Sequence, residues 1–218
     1  MKKLESSLKN MLLVLTGVTA ISVALLAYVN VLTEKPIAQA NAAILNEALR
    51  EVLPSFTEIN TDTVFSEKNG KKVVEFIIYP ASTEGKLVGT AVQAVSLGFG
   101  GDLKVLVGFD LKGDIINYSL LSHAETPGLG SKAVDWFKKN NKGDITGKNP
   151  GVQPLVVKKD GGDIDAITAS TITTRAFLKA INEAYRVHAG RSAANADDYV
   201  EQPADTATIE VADTLSVK

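Results

Sequence analysis

The hydrophobic positions of this chain change their spacing four times. From Met11 to Leu32, in the order MLLVLTGVTAISVALLAYVNVL, 22 residues carry no charge. At 1.5 Å per residue the run predicts a helix of about 33 Å, enough to cross a bilayer core. Thr16, Thr19 and Ser22 can bond back to the carbonyls of that helix, and Tyr28 and Asn30 sit where an interfacial belt falls. From Pro36 the spacing becomes helical: Ile37, Ala40, Ile44, Leu45, Ala48, Leu49 and Val52 share one face. Pro36 suits a first turn and Pro54 ends the helix. Ser55–Lys72 is polar and reads as loop, with Asn69-Gly70 as a turn signal.

The spacing then shortens to that of strands. Val73–Tyr79, Leu87–Leu97, Leu103–Asp110 and Ile115–Leu121 are rich in β-branched and aromatic residues, and Lys112-Gly113-Asp114 makes a hairpin turn between the last two. Short turns between four strands predict an antiparallel sheet. A short helix capped by Ser131 is expected through Lys139, followed by loop over 140–151 and a short strand at Leu155–Val157. Finally Ile172, Ala176, Phe177, Ala180, Ile181, Ala184 and Tyr185 recur at three- and four-residue spacing, which predicts an amphipathic helix from Ile172 to Ala189. The class is α+β: one N-terminal transmembrane helix and a single exported domain of antiparallel sheet with flanking helices. Gly190–Lys218 has no core-forming pattern and reads as a disordered tail. The boundaries are thus 1–10 for the cytoplasmic end, 11–32 for the span, 33–189 for the domain and 190–218 for the tail.

Composition narrows this picture. Lys2, Lys3 and Lys9 precede the span against Glu5, while Glu34 and Lys35 cancel after it. The positive-inside bias puts the N-terminus in the cytoplasm and the domain outside. Ala38-Gln39-Ala40 has the small-x-small form of a signal-peptide cleavage site. The apolar run is longer than a signal-peptide core, so the reading is an uncleaved anchor in the lipid bilayer. With no Cys there is no disulfide framework or thiolate metal site, and the two His residues, 123 and 188, lie far apart. No metal site is expected. A net charge of −2 with no basic stripe argues against nucleic acid.

Two stretches carry candidate chemistry. Asp165-Ala166-Ile167-Thr168-Ala169-Ser170-Thr171-Ile172-Thr173-Thr174 places five hydroxyls within seven residues at the start of the last helix. Such residues cap a helix, and the unpaired N–H groups there also suit a phosphate. Ser122-His123-Ala124-Glu125-Thr126-Pro127-Gly128-Leu129-Gly130 is a rigid loop whose glycines allow close backbone approach. His123 and Glu125 offer an acid–base pair or a satisfied loop His beside a solvated Glu. Gly98, Gly100 and Gly101 lie between two strands, so they are a turn needing positive φ rather than a dinucleotide fingerprint. A Ser or Thr hydrolase would need an elbow such as Gly-x-Ser-x-Gly, and none is present.

Together these stretches resemble the FMN-binding G-subunit family (RnfG) of Rnf-type ion-translocating electron transport complexes, over roughly residues 1–189. The C subunit of the sodium-translocating NADH:quinone reductase shares the domain and is the alternative. A cofactor-free anchored assembly module is the reading from a different class. Asp165, Thr168 and Thr171 match the family's Asp-x-x-Ser/Thr-Gly-Ala-Thr motif, with Ala169 and Ser170 where Gly and Ala are usual. Glu125–Gly130 matches its Glu-Thr-Pro-Gly-Leu-Gly segment, and Gly98-Phe99-Gly100-Gly101 resembles its glycine turn. The resemblance implies FMN attached through its phosphate to Thr171 by a flavin transferase. Thr168, Ser170, Ile172 and Thr173 would lie around the phosphate, with the N–H groups of Ile172, Thr173 and Thr174 and the hydroxyls of Thr168 and Thr173 as donors, while Asp165 would orient the loop or serve the attachment step rather than contact the phosphate. Glu125, Thr126, Gly128, Leu129 and Gly130 would lie at the ring. It further implies an electron carrier with no catalytic residue of its own, held in the cell inner membrane with its domain on the periplasmic side. Other membrane proteins of the complex, one with a second covalent FMN, would be its partners.

Overall fold

The computed structural model of the chain describes residues 8–68 and 71–197. Helix α1 runs unbroken from Leu8 to Val52. Its residues through Leu45 form one unit, and its last turns, from Asn46, belong to a second unit with the rest of the chain. An apolar window in α1, of mean hydropathy 2.3 and 0% buried, is long and apolar enough to cross a membrane. Thr19 donates its hydroxyl to the Leu15 carbonyl at 2.9 Å and Thr33 to that of Val29 at 2.9 Å, so these polar groups are satisfied within the helix. Pro36 lies inside α1 rather than at the start of a new helix. It has no N–H for the Leu32 carbonyl, and the helix tolerates that loss.

The second unit is a six-stranded antiparallel sheet with a long helix across it. The strands are β1 (Glu58–Ile59), β2 (Asp62–Lys68), β3 (Lys71–Thr83), β4 (Lys86–Leu97), β5 (Asp102–Phe109) and β6 (Ile115–Ser122). The order is β1-β3-β4-β5-β6, with β2 also paired to β3. The four strands expected from hydrophobic pattern are β3 to β6. β1 and β2 fall in the stretch expected to be loop. β2 pairs only with β3, and an edge strand tolerates the polar sequence DTVFSEK. The Asn69-Gly70 turn lies outside the described residues.

Helix α3 (Thr171–Asp197) packs across β4 and β5. Val92, Val105, Val107 and Phe109 from the sheet meet Phe177, Ile181 and Ala184 from α3 in one buried core. Phe137 stacks on Phe177 with ring centroids 4.4 Å apart, and Tyr118 meets Phe177 edge-on at 4.8 Å. Burying a side chain such as Phe177 contributes on the order of 1.5–3 kcal/mol. β5 is buried along most of its length, and Leu49, Val52 and Leu53 are buried as well: Gly108 leaves room for the Val52 carbonyl, which a Cβ there would meet.

Four local expectations are corrected. The short helix α2 covers only Ala133–Trp136, after a 3-10 turn at Gly130–Lys132. Ser131 does not cap it, because its hydroxyl accepts the Gly128 N–H at 2.9 Å and closes the preceding loop instead. Leu155–Val157 is no strand, since only Val157 bridges, in parallel, to Ile164. α3 continues past Ala189 to Asp197, through Ala-rich sequence of high helix propensity. An Arg191–Asp62 ion pair ties this extension to β2. The remainder of the expected tail, 198–218, lies outside the described residues.

Candidate functional site

The hydroxyl cluster is divided by the start of α3 into groups with different tasks. Ser170 is the cap residue: its carbonyl accepts the Thr174 N–H at 3.0 Å, the first bond of the helix. Thr174 is fully buried. Its hydroxyl donates to the Ser170 carbonyl at 3.0 Å and accepts the Ile167 N–H at 3.1 Å, which folds the incoming loop against the helix. Ile164 and Ile167, each 1% exposed, pin that loop into the core. Asp165 is bonded to residues outside the hydroxyl cluster. Its carboxylate accepts from Lys158 Nζ at 2.7 Å, and its carbonyl accepts from Trp136 Nε1 at 2.8 Å. Arg175 binds Asp160 through two 2.7 Å bonds, and this guanidinium holds the Asp160 carboxyl below the usual carboxylate range.

Ala169 takes φ +63°, the left-handed conformation. A side chain there is strained by about 1–2 kcal/mol, which gives the glycine usual at this motif position a physical reason. The same backbone turn presents Ala169, Ser170 and Thr171 to a cavity of about 380 Å³. Thr171 is half-buried and lines that cavity, whereas Thr168 is exposed and does not. The N–H groups of Thr171, Ile172 and Thr173 precede the point where intrahelical bonding begins. The Thr174 N–H, expected among the donors, is consumed by Ser170.

The opposite wall comes from the rigid loop and the glycine turn: Thr126, Leu129, Gly130 and Phe99. Glu125 joins the two walls. It is 5% exposed, and its Oε1 accepts from the backbone N–H of Phe99 at 2.7 Å and of Gly100 at 3.4 Å. Its Oε2 accepts from the Thr173 hydroxyl at 2.8 Å. The Thr173 hydroxyl, expected to serve a phosphate, is therefore committed to Glu125. The glycines follow from this carboxylate. A Cβ at Gly98 would sit 2.0 Å from Oε1 and one at Gly130 would sit 2.4 Å from Oε2. Gly101 alone of the turn needs positive φ, at +148°. Gly128, at φ +74° with open space around it, shapes the loop and is not part of the cavity wall.

His123 and Glu125 do not form an acid–base pair. His123 Nδ1 accepts the Glu125 backbone N–H at 3.3 Å while the carboxylate turns inward. Two residues matter more here than the sequence pattern suggests. Phe99, 68% exposed at the cavity mouth, is easily taken for part of a glycine turn, although a lone aromatic inside such a turn is a legible signal. Glu125 reads in sequence as a solvated or minor residue, and only the pairing of distant segments reveals its partners.

Known proteins give this geometry its family. Residues 98–186, which contain both cavity walls, match the FMN-binding domain family. Over 195 residues the chain is 32% identical to the G subunit of the ion-translocating oxidoreductase complex of Shewanella amazonensis, covering 82% of this chain and 86% of that protein. The chain belongs to the G-subunit family of ion-translocating oxidoreductase complexes. The G subunit of Vibrio atlanticus is 33% identical over 183 residues, covering 79% of this chain and 86% of its own. With that of Shewanella baltica the identity rises to 42%, over 110 residues that span about half of each chain (49% and 51%). These likenesses support the FMN-binding reading and favour the G subunit over the quinone-reductase alternative.

Proposed function

We propose that this chain is the membrane-anchored electron carrier of an Rnf-type ion-translocating oxidoreductase complex, with FMN esterified through its phosphate to Thr171. The observation that carries the proposal is the position of Thr171: it is the first residue of α3, half-buried, and lines a cavity with an apolar wall. The site fits such a group. A volume of about 380 Å³ falls in the range of small-molecule pockets, about 300–1,000 Å³. Phe99, Leu129 and Ile172 offer apolar surface to a flat ring, and Thr126 offers a hydroxyl. At the other end the N–H groups of Thr171, Ile172 and Thr173 and the positive end of the α3 dipole suit a phosphodiester.

The flavin would supply the electron-transfer chemistry, and the protein supplies attachment, orientation and field. The ester holds a cofactor that would otherwise be diluted away outside the cytoplasm. The excess of Lys before the apolar run supports an N-terminus in the cytoplasm and a domain on the periplasmic side of the inner membrane. Attachment requires a flavin transferase, and function requires the other membrane proteins of the complex, one bearing a second covalent flavin.

The test is in-gel flavin fluorescence of the full chain, denatured after production with a flavin transferase. Wild type should fluoresce and Thr171→Ala should be dark. Fluorescence persisting in Thr171→Ala would move the ester elsewhere, with Ser170 the first candidate.

A further inference from the structure

The cavity wall holds a buried carboxylate with no cation beside it among the described lining residues. Among its described lining residues there is no Lys, Arg or His, and Glu125 is the sole ionisable one. Every partner of its carboxylate is a neutral donor: two backbone N–H groups and the Thr173 hydroxyl. Three donors and no cation suit an acceptor-only carboxylate, and at 5% exposure water screens it poorly. The fold is shaped around this group. Gly98 and Gly130 both lack the side chain that would collide with it, at 2.0 and 2.4 Å. A helix cap or a loop closure does not require such an arrangement, and a neutral amide would bridge the same segments.

We propose that Glu125 is a potential-setting residue: its buried charge at the cavity wall makes a bound flavin harder to reduce. This rests on the reading that the cavity holds FMN. A fixed anion raises the energy of electron density added nearby and so moves the reduction equilibrium toward the oxidised form. The Thr173 hydroxyl moderates the effect, because its O–H dipole points its positive end at Oε2. Glu125 also positions the site by fastening the Phe99 turn to α3. That second role is separable, because a glutamine retains it: its oxygen can accept from Phe99 N–H, and its amide can donate to the rotatable Thr173 hydroxyl.

Glu125→Gln and Thr173→Val, each as the full flavinylated chain in detergent, separate charge from fastening. Intact mass first confirms that flavin is attached, which tests the underlying reading independently. Spectroelectrochemical titration then gives the midpoint potential, and thermal melting gives the structural effect. Glu125→Gln should keep a melting curve close to wild type and shift the reduction equilibrium at least tenfold toward the reduced form, about 59 mV for a one-electron couple. Thr173→Val, with the charge kept and its donor removed, should shift the potential the opposite way. A flavinylated Glu125→Gln with the wild-type potential overturns the proposal. So does a natively melting Glu125→Gln that takes up no flavin, since Glu125 would then serve attachment. Should Glu125→Gln fail to fold, Thr173→Val decides: an unchanged potential there overturns it.

Discussion

At the scale of single residues, the hydroxyls of one short stretch differ in what surrounds them. Ser170 and Thr171 both line the cavity, but Ser170 is 8% exposed and serves as the helix cap, whereas Thr171 is more open. Loss of the Thr171 hydroxyl should therefore abolish attachment, and Ser170→Ala should leave the in-gel signal in place. Ala169 at φ +63° supplies an independent prediction. Ala169→Gly relieves left-handed strain of about 1–2 kcal/mol, offset in part by the extra freedom glycine has when unfolded. A net gain of about 0.5–1 kcal/mol is expected, read as a higher melting temperature; a loss would contradict the strain. From sequence, the departure at 169 reads only as a harmless swap of small residues. The backbone angle that gives it a cost is set by how Ile167 and Ser170 are pinned, which a one-dimensional pattern does not display.

At the scale of elements, α3 links the core to the site. Its periodic apolar face was legible because Phe177, Ile181 and Ala184 repeat with the helix and bury fully. Phe177→Ala should destabilise the domain by about 3–5 kcal/mol, since it empties the space between Phe137, Tyr118 and the sheet. Urea unfolding followed by tryptophan fluorescence measures this, with Trp136 as the reporter. A loss below about 1 kcal/mol would mean the core collapses to fill the gap. The strands β3 to β6 were legible for a similar reason, since sheet burial follows their apolar runs. β2 was not: its sequence is largely polar, and its membership of the sheet rests on backbone pairing with β3, a long-range fact. The Glu125 fastening was hidden likewise, since its partners lie 25 to 48 residues away in sequence. The Pro and Gly residues and the Glu-Thr-Pro-Gly-Leu-Gly resemblance marked that loop, but neither disclosed the partners of the carboxylate.

At the scale of the whole molecule, the division between an apolar N-terminal helix and an α+β domain was plain in the hydrophobic pattern. The pH response of the domain is a property of its core. His188 is 7% exposed and stacks on Phe109 at 5.0 Å. Burial pushes its pKa below the usual value, with Asp110 opposing in part. The unfolded chain therefore binds a proton more readily than the folded one. The stability this represents is fully present above the unfolded pKa, about 6.5, and is lost as pH falls through the lower folded value. Melting temperature should thus decline as pH drops below about 6.5, and His188→Gln should flatten that decline. An identical pH profile in both proteins would assign the loss to carboxylates instead.

The central claim, a flavin ester at the first residue of α3, is tested most directly by intact mass spectrometry with peptide mapping. The full chain produced with a flavin transferase should gain the mass of FMN minus water, located on the peptide containing Thr171. An unmodified chain, or an adduct mapped to a peptide lacking Thr171, would contradict it.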